Sequence, residues 1–162
     1  DLLRHEMNHT VSIVIFDPED PDTLRNLAEA LTEYHSVLIP YASEEALREA
    51  IGHHPVDVFL LKLEKPFEQA FSLLSEIQVK APQAQVIFVA QFDDEMLWAW
   101  MGVIQRGAYE FLPKPLDPEE LKLHVVSAVE KNHPLQLRKR PPAESVKDLY
   151  AISKKRISSA GA

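Results

Sequence analysis

His5-Glu6-Met7-Asn8-His9 is the first stretch whose residue types and spacing could do chemistry. Two histidines one helical turn apart can bind zinc while the intervening Glu acts as a base. The match sits just before an apolar run that starts at Val11, and no obvious third-ligand motif follows it. It is read as a chance match in a leader, residues 1–10. His53 and His54 are adjacent and point different ways, so they make a poor chelate. A second group stands at the ends of apolar runs. Asp17 and Glu19 follow VSIVIF, Lys62 closes VDVFLLK, and Lys114 with Pro115 follows YEFLP. In open α/β sheets the carboxyl ends of strands are where ligands and chemistry collect. A cation at the end of a run buried on both faces therefore asks for an explanation.

The elements that must position these residues alternate along the chain. Short β-branched or aromatic runs, VSIVIF (11–16), SVLIP (36–40), VDVFLLK (56–62), QVIFVA (85–90) and YEFL (109–112), are separated by amphipathic helical stretches. These helices are expected over 22–34, 43–53, 66–80, 94–106 and 117–131. Asp22, Ser43 and Asp117 are plausible N-caps, the last with Pro at the first helical position and Glu120 completing a capping box. Gly52 and Gly107 fall where left-handed C-terminal glycines belong. Parallel strands need crossover connections, so this alternation implies a doubly wound, flavodoxin-like (βα)5 sheet of order 2-1-3-4-5.

Composition narrows the function classes. A chain of 162 residues makes one domain with a short appendage. It has no cysteine, hence neither disulfides nor a thiolate metal site, which fits a cytoplasmic setting. No apolar run approaches the roughly 18 residues of a membrane span. The chain opens on Asp1 rather than Met, so it is expected to be a fragment of something longer. Its net charge of −8 divides into −13 for residues 1–131 (10 Lys+Arg, 23 Asp+Glu) and +5 for 132–162 (7 and 2). The globular part should repel nucleic acid. After Lys131, the proline-rich basic stretch 132–142 reads as a linker. Residues 143–157 resume helical spacing, with Val146, Leu149, Tyr150 and Ile157 able to share a face, and 158–162 read as a flexible end.

GAYEFLPKPLDPEEL (107–121) resembles the end of a response-regulator receiver domain, a CheY-like module. IVIFDPED (13–20), VDVFLLKLEKP (56–66) and VIFVAQFDD (86–94) resemble the other receiver segments in the right order, over residues 11–131. The resemblance implies phosphoryl transfer from a histidine kinase to an aspartate ending the third strand. It also implies a divalent cation on acidic residues after the first strand, and Thr or Ser and Lys holding the phosphoryl oxygens. The fourth helix, fifth strand and fifth helix would form the output face.

The chain departs from that pattern at the chemistry. The acceptor position is Lys62, and a protonated amine cannot form an acyl phosphate. Pro18 replaces the second acidic residue, leaving Asp17 with Glu19 nearby, and Ala90 replaces the hydroxyl residue. Lys114 and Pro115 remain, and Phe111 keeps the ring of a switching aromatic without a hydroxyl. The sequence thus predicts a degenerate pocket without metal or cofactor, in which Lys62 either pairs with Asp17 and Glu19 as a fixed internal cation or only reaches from the strand end into solvent. On the fourth helix, Leu97, Trp100, Met101 and Ile104 form a stripe suited to the sheet, leaving Trp98 and Val103 outside it.

The expected function is that of a non-enzymatic pseudo-receiver in a bacterial two-component or transcription regulator. It would act through a protein partner or homodimer, with Trp98 and Phe111 on the output face or with the C-terminal helix. A covalently attached output domain is expected beyond residue 162, and neither nucleic acid nor membrane is contacted by this domain. The alternatives are phosphorylation on another carboxylate, Glu64 or Asp17, and a small-ligand sensor using the crevice above the sheet.

Overall fold

The computed structural model describes residues 9–132. The histidine motif except His9, most of the leader, nearly all of the linker, the 143–157 segment and the end after it lie outside the described residues. Ten elements alternate strictly. They are β1 (Val11–Phe16), α1 (Pro21–Ala30), β2 (Ser36–Pro40), α2 (Glu44–Ala50), β3 (Val58–Lys62), α3 (Phe67–Lys80), β4 (Gln85–Gln91), α4 (Asp94–Gln105), β5 (Glu110–Lys114) and α5 (Pro118–Glu130). The five strands form one sheet, all parallel, in the order β2-β1-β3-β4-β5. This is the flavodoxin-like doubly wound fold that the alternation implied.

Side chains alternate across a strand, so every central strand feeds two cores. Val14, Phe16, Phe59, Leu61 and Phe88 pack against α2, α3 and α4. Ile13, Ile15, Leu60, Ile87 and Leu112 face α1 and α5. Near-continuous burial along β1, β3 and β4 is the reason these strands read as unbroken apolar runs.

Helix starts follow local chemistry. Ser43 and Asp117 cap α2 and α5 through the backbone N–H groups of Ala46 and Glu119. The cap of α1 is Asp20, not Asp22: its carboxylate accepts from the Asp22 N–H at 3.0 Å. Pro21 at the first helical position explains the shift, because its missing N–H costs nothing there. Asp93 caps α4 by accepting from Met96 N–H at 2.8 Å. Gly52 and Gly107 adopt φ of +86° and +99°, as their positions after α2 and α4 require.

The expected stripe of α4 is overturned. Met96, Ala99 and Val103 are buried, whereas Leu97, Met101 and Ile104 are exposed. The helix turns its small residues inward: a Cβ on Gly102 would lie 2.8 Å from Phe71 Cζ, so α3 and α4 pack too closely for larger side chains there. Trp100, half-buried, turns toward β5 and stacks on Phe111, with ring centroids 5.6 Å apart.

Candidate functional site

Strand register gathers the pocket residues at one edge. Phe16, just before Asp17, pairs with Leu61; Lys62 pairs with Val89; Ala90 pairs with Pro113, and Gln91 with Lys114. Asp17, Glu19, Lys62, Ala90 and Lys114 line a crevice of about 550 Å³ above the carboxyl ends of the strands. Pro115 lines a smaller neighbouring hollow with Asp20 and Lys114. Pro18 forms part of the turn between β1 and α1.

An ion cluster fills the middle of this edge. Lys114 Nζ lies 2.6 Å from Asp17 Oδ2 and 2.8 Å from Asp20 Oδ2. The Thr23 hydroxyl donates a second bond to Asp17 Oδ2 at 2.6 Å. The Asp17 side chain is only 4% exposed, so its charge is compensated by two donors in a poorly solvated place. Burial alone would lower the pKa of the Lys114 ammonium, but its bonds to Asp17 and Asp20 outweigh that and raise it. The Asp20 carboxyl is held below its usual range, chiefly by the hydrogen bond from Lys114 and further by the Asp22 N–H.

Lys62 does not bridge to Asp17 or Glu19. Its ammonium pairs with Glu64 Oε1 at 2.8 Å and lies over the Phe16 ring, 5.1 Å from the centroid. Asp17 is instead engaged by Thr23, from the first turn of α1, and by Lys114. Glu64 is only two residues from Lys62, so that pair closes a short local loop. Nor does Lys62 simply reach into solvent, since its side chain is 17% exposed. The internal cation on Asp17 is therefore Lys114.

Sequence reasoning missed Asp20 and Thr23. Asp20 carried a legible signal, an acidic residue immediately before a proline that opens a helix. Thr23 carried none, because only the fold reveals that the first turn of α1 points its hydroxyl at the strand edge.

The two expected output residues are placed differently. Trp98 is 78% exposed on α4, whereas Phe111 is 3% exposed and sits beneath Trp100. Phe111 thus supports the face from below and cannot itself touch a partner. At the opposite edge of the sheet, His9 Nε2 lies 3.0 Å from Asp57 Oδ2, which also accepts from the Ser12 N–H. The described half of the histidine motif is a tether between β1 and the approach to β3. Among the described residues no cluster of three His, Cys, Asp or Glu could hold a metal, and no helix is long and apolar enough to cross a membrane.

A five-stranded parallel sheet with charged residues at its carboxyl edge is what the receiver resemblance implied. The family profile of the response regulator receiver domain matches residues 13–126, and the chain belongs to that family. Among curated proteins it is 27% identical over 128 residues to the DNA-binding transcriptional regulator NtrC of Klebsiella pneumoniae, covering 78% of this chain and 27% of that protein. It is 27% identical to the transcriptional regulatory protein CssR of Bacillus subtilis, covering 94% of this chain and 62% of that protein. The chain thus spans about a quarter of NtrC and under two thirds of CssR. Among solved structures, a response regulator from Thermotoga maritima shares the fold with a TM-score of 0.66 at 18% identity, covering 75% of this chain and 99% of that one.

Proposed function

We propose that this chain is an atypical receiver that signals by protein contact without being phosphorylated, as the regulatory part of a larger transcription regulator. One observation carries the reading: an ammonium, Lys62, stands at the end of β3, where the receiver resemblance expects the acceptor carboxylate. A lysine ammonium has no lone pair to attack a phosphoryl donor.

The surroundings support it. A divalent cation needs several oxygen ligands, and the two carboxylates gathered at the end of β1, Asp17 and Asp20, are both held by Lys114 Nζ, while Glu64 of the same crevice is held by Lys62. The residues therefore do not fit a divalent ion, whose charge the ammonium would also repel. Ala90 offers no hydroxyl to a phosphoryl oxygen. The pocket keeps the family's framework with Asp17 and Asp20 paired to Lys114, leaving contact surfaces as the means of signalling. Attachment to an output domain and a part in transcription rest on likeness to NtrC and CssR, which are named as regulators of transcription.

The carboxylate most open to the alternative chemistry is Glu64, whose side chain is 57% exposed; Asp17 is enclosed by Thr23 and Lys114. Incubating the full chain with Mg²⁺ and acetyl phosphate and measuring its intact mass tests the proposal. An unchanged mass is expected. Stoichiometric addition of a phosphoryl group, mapped to Glu64 or Asp17, would overturn it in favour of a receiver using another carboxylate.

A further inference from the structure

Helix α4 carries apolar surface into solvent. Leu97, Trp98, Met101 and Ile104 are all exposed, and at about 100° per residue they fall within roughly 120° of one helix face. Trp98 stands out furthest, 78% exposed. Beside it, between α3 and α4, runs a groove of about 330 Å³ with Phe67, Phe71 and Met101 in its walls. The hollow follows from the sequence: Ala99 and Gly102, the small residues that let α4 approach Phe71, leave the space next to Trp98 open. A projecting indole and an apolar groove thus share one surface. Exposed patches of this sort mark interaction sites, and aromatic residues anchor them.

Charge is divided along the same helix. Asp94 stands at its start and Arg106 just past its end, about 18 Å away by helical rise. Among the described residues Asp94 meets no cation and Arg106 no carboxylate; the guanidinium stacks 3.9 Å over Phe71 and donates one bond to the Gly102 carbonyl at 3.0 Å.

We propose that the occupant is a second copy of this chain, its α4 antiparallel to the first across a two-fold axis. A two-fold interface is isologous, so whatever one copy presents the other must be able to accept. Helix α4 meets that condition twice. With the axis midway between Trp98 and Met101, each Trp98 lies against Met101 and the groove of the other copy, a contact that sulfur and an aromatic ring favour. The same operation sets the Asp94 end of each helix against the Arg106 end of the other, so both unmatched charges find opposite partners at the rim. An unrelated partner would have to supply a groove for Trp98 and opposite charges at both ends; a second copy has them already. Trp98 and its groove lie on the α3 side of α4, opposite Trp100, which turns toward β5. Such pairing would serve the contact signalling proposed above, on which its purpose rests, and needs nothing from the pocket. A chain that stays monomeric would sink it and leave the unphosphorylated reading to the mass measurement.

Sedimentation velocity of the full chain over a range of concentrations should show reversible dimerisation. Trp98→Ser, a change at an exposed position, should raise the dissociation constant at least about 30-fold, as expected of an interface anchor. Arg106→Glu should weaken the dimer as well, and adding Asp94→Lys should restore it, because the swap keeps opposite charges facing. A monomer at every concentration, a dimer indifferent to Trp98→Ser, or a charge swap that restores nothing would each overturn the proposal. Orientation has its own readout. Because the chain has no cysteine, Gln105→Cys accepts a single spin label. In a mixture of spin-labelled chain and isotope-labelled chain, the amides of Asp93 to Glu95 should broaden while those of Gly107 and Ala108 keep their intensity. The reverse pattern, or none, would contradict the antiparallel pairing.

Discussion

Lys62 and Lys114 are both lysines ending strands at one sheet edge, yet their environments give opposite mutational expectations. Lys114 faces two carboxylates, one of them nearly inaccessible, and removing one partner of a buried pair typically costs about 3–5 kcal/mol. Lys114→Met should therefore destabilise strongly in urea unfolding. Lys62→Met should change stability by less than about 1 kcal/mol, because its partner Glu64 is mostly solvated. Equal effects would place the structural cation wrongly. The same cluster sets a pH window. Asp20 titrates below its ordinary value of 3.8, so its contribution is present above that value and disappears as pH falls through the lowered one. Lys114 titrates above its ordinary 10.5, so its contribution is present below 10.5 and disappears as pH rises through the raised value. The contribution of this cluster should be constant between these limits, and unfolding free energy followed against pH should show a shallower acid limb in Asp20→Asn than in the unaltered chain. In the sequence, a lysine at the end of β3 was legible from residue type and the apolar run before it. The partner of Asp17 was not, because that choice depends on where α1 places Thr23 and how far Lys114 reaches.

At the scale of elements, the strands were legible because burial on both faces leaves unbroken apolar runs, and β1 and β2 have the bounds the sequence predicted. Helix ends were legible where a capping residue or a glycine made a local demand, as at Ser43, Asp117 and Gly107. The face of α4 was not. A wheel of apolar residues ranks Leu97 and Ile104 as core, but close packing against Phe71 selects Ala99 and Gly102, which only the neighbouring helix can dictate. Gly107 offers a test of the local demands. Its φ of +99° excludes a Cβ at low cost, and an added Cβ would fall 2.6 Å from Gln78 Nε2. Gly107→Ala should lower stability by about 1–2 kcal/mol, read from the urea midpoint at unchanged slope. A neutral or stabilising result would mean that the turn after α4 relaxes freely.

Across the whole molecule, two cores share one sheet, so the carboxyl edge is fixed by nearly every buried residue in the domain. A framework held in this way can keep its shape whatever chemistry its edge carries, since fold and phosphoryl transfer make separate demands on a sequence. The central claim is that this edge holds its own cation and takes neither Mg²⁺ nor a phosphoryl group. NMR of the full chain during titration with Mg²⁺ and beryllofluoride, a phosphoryl mimic, tests it most directly. The amides of Asp17, Lys62, Gln91 and Lys114 should keep their positions throughout; saturable, joint shifts of these resonances would contradict it.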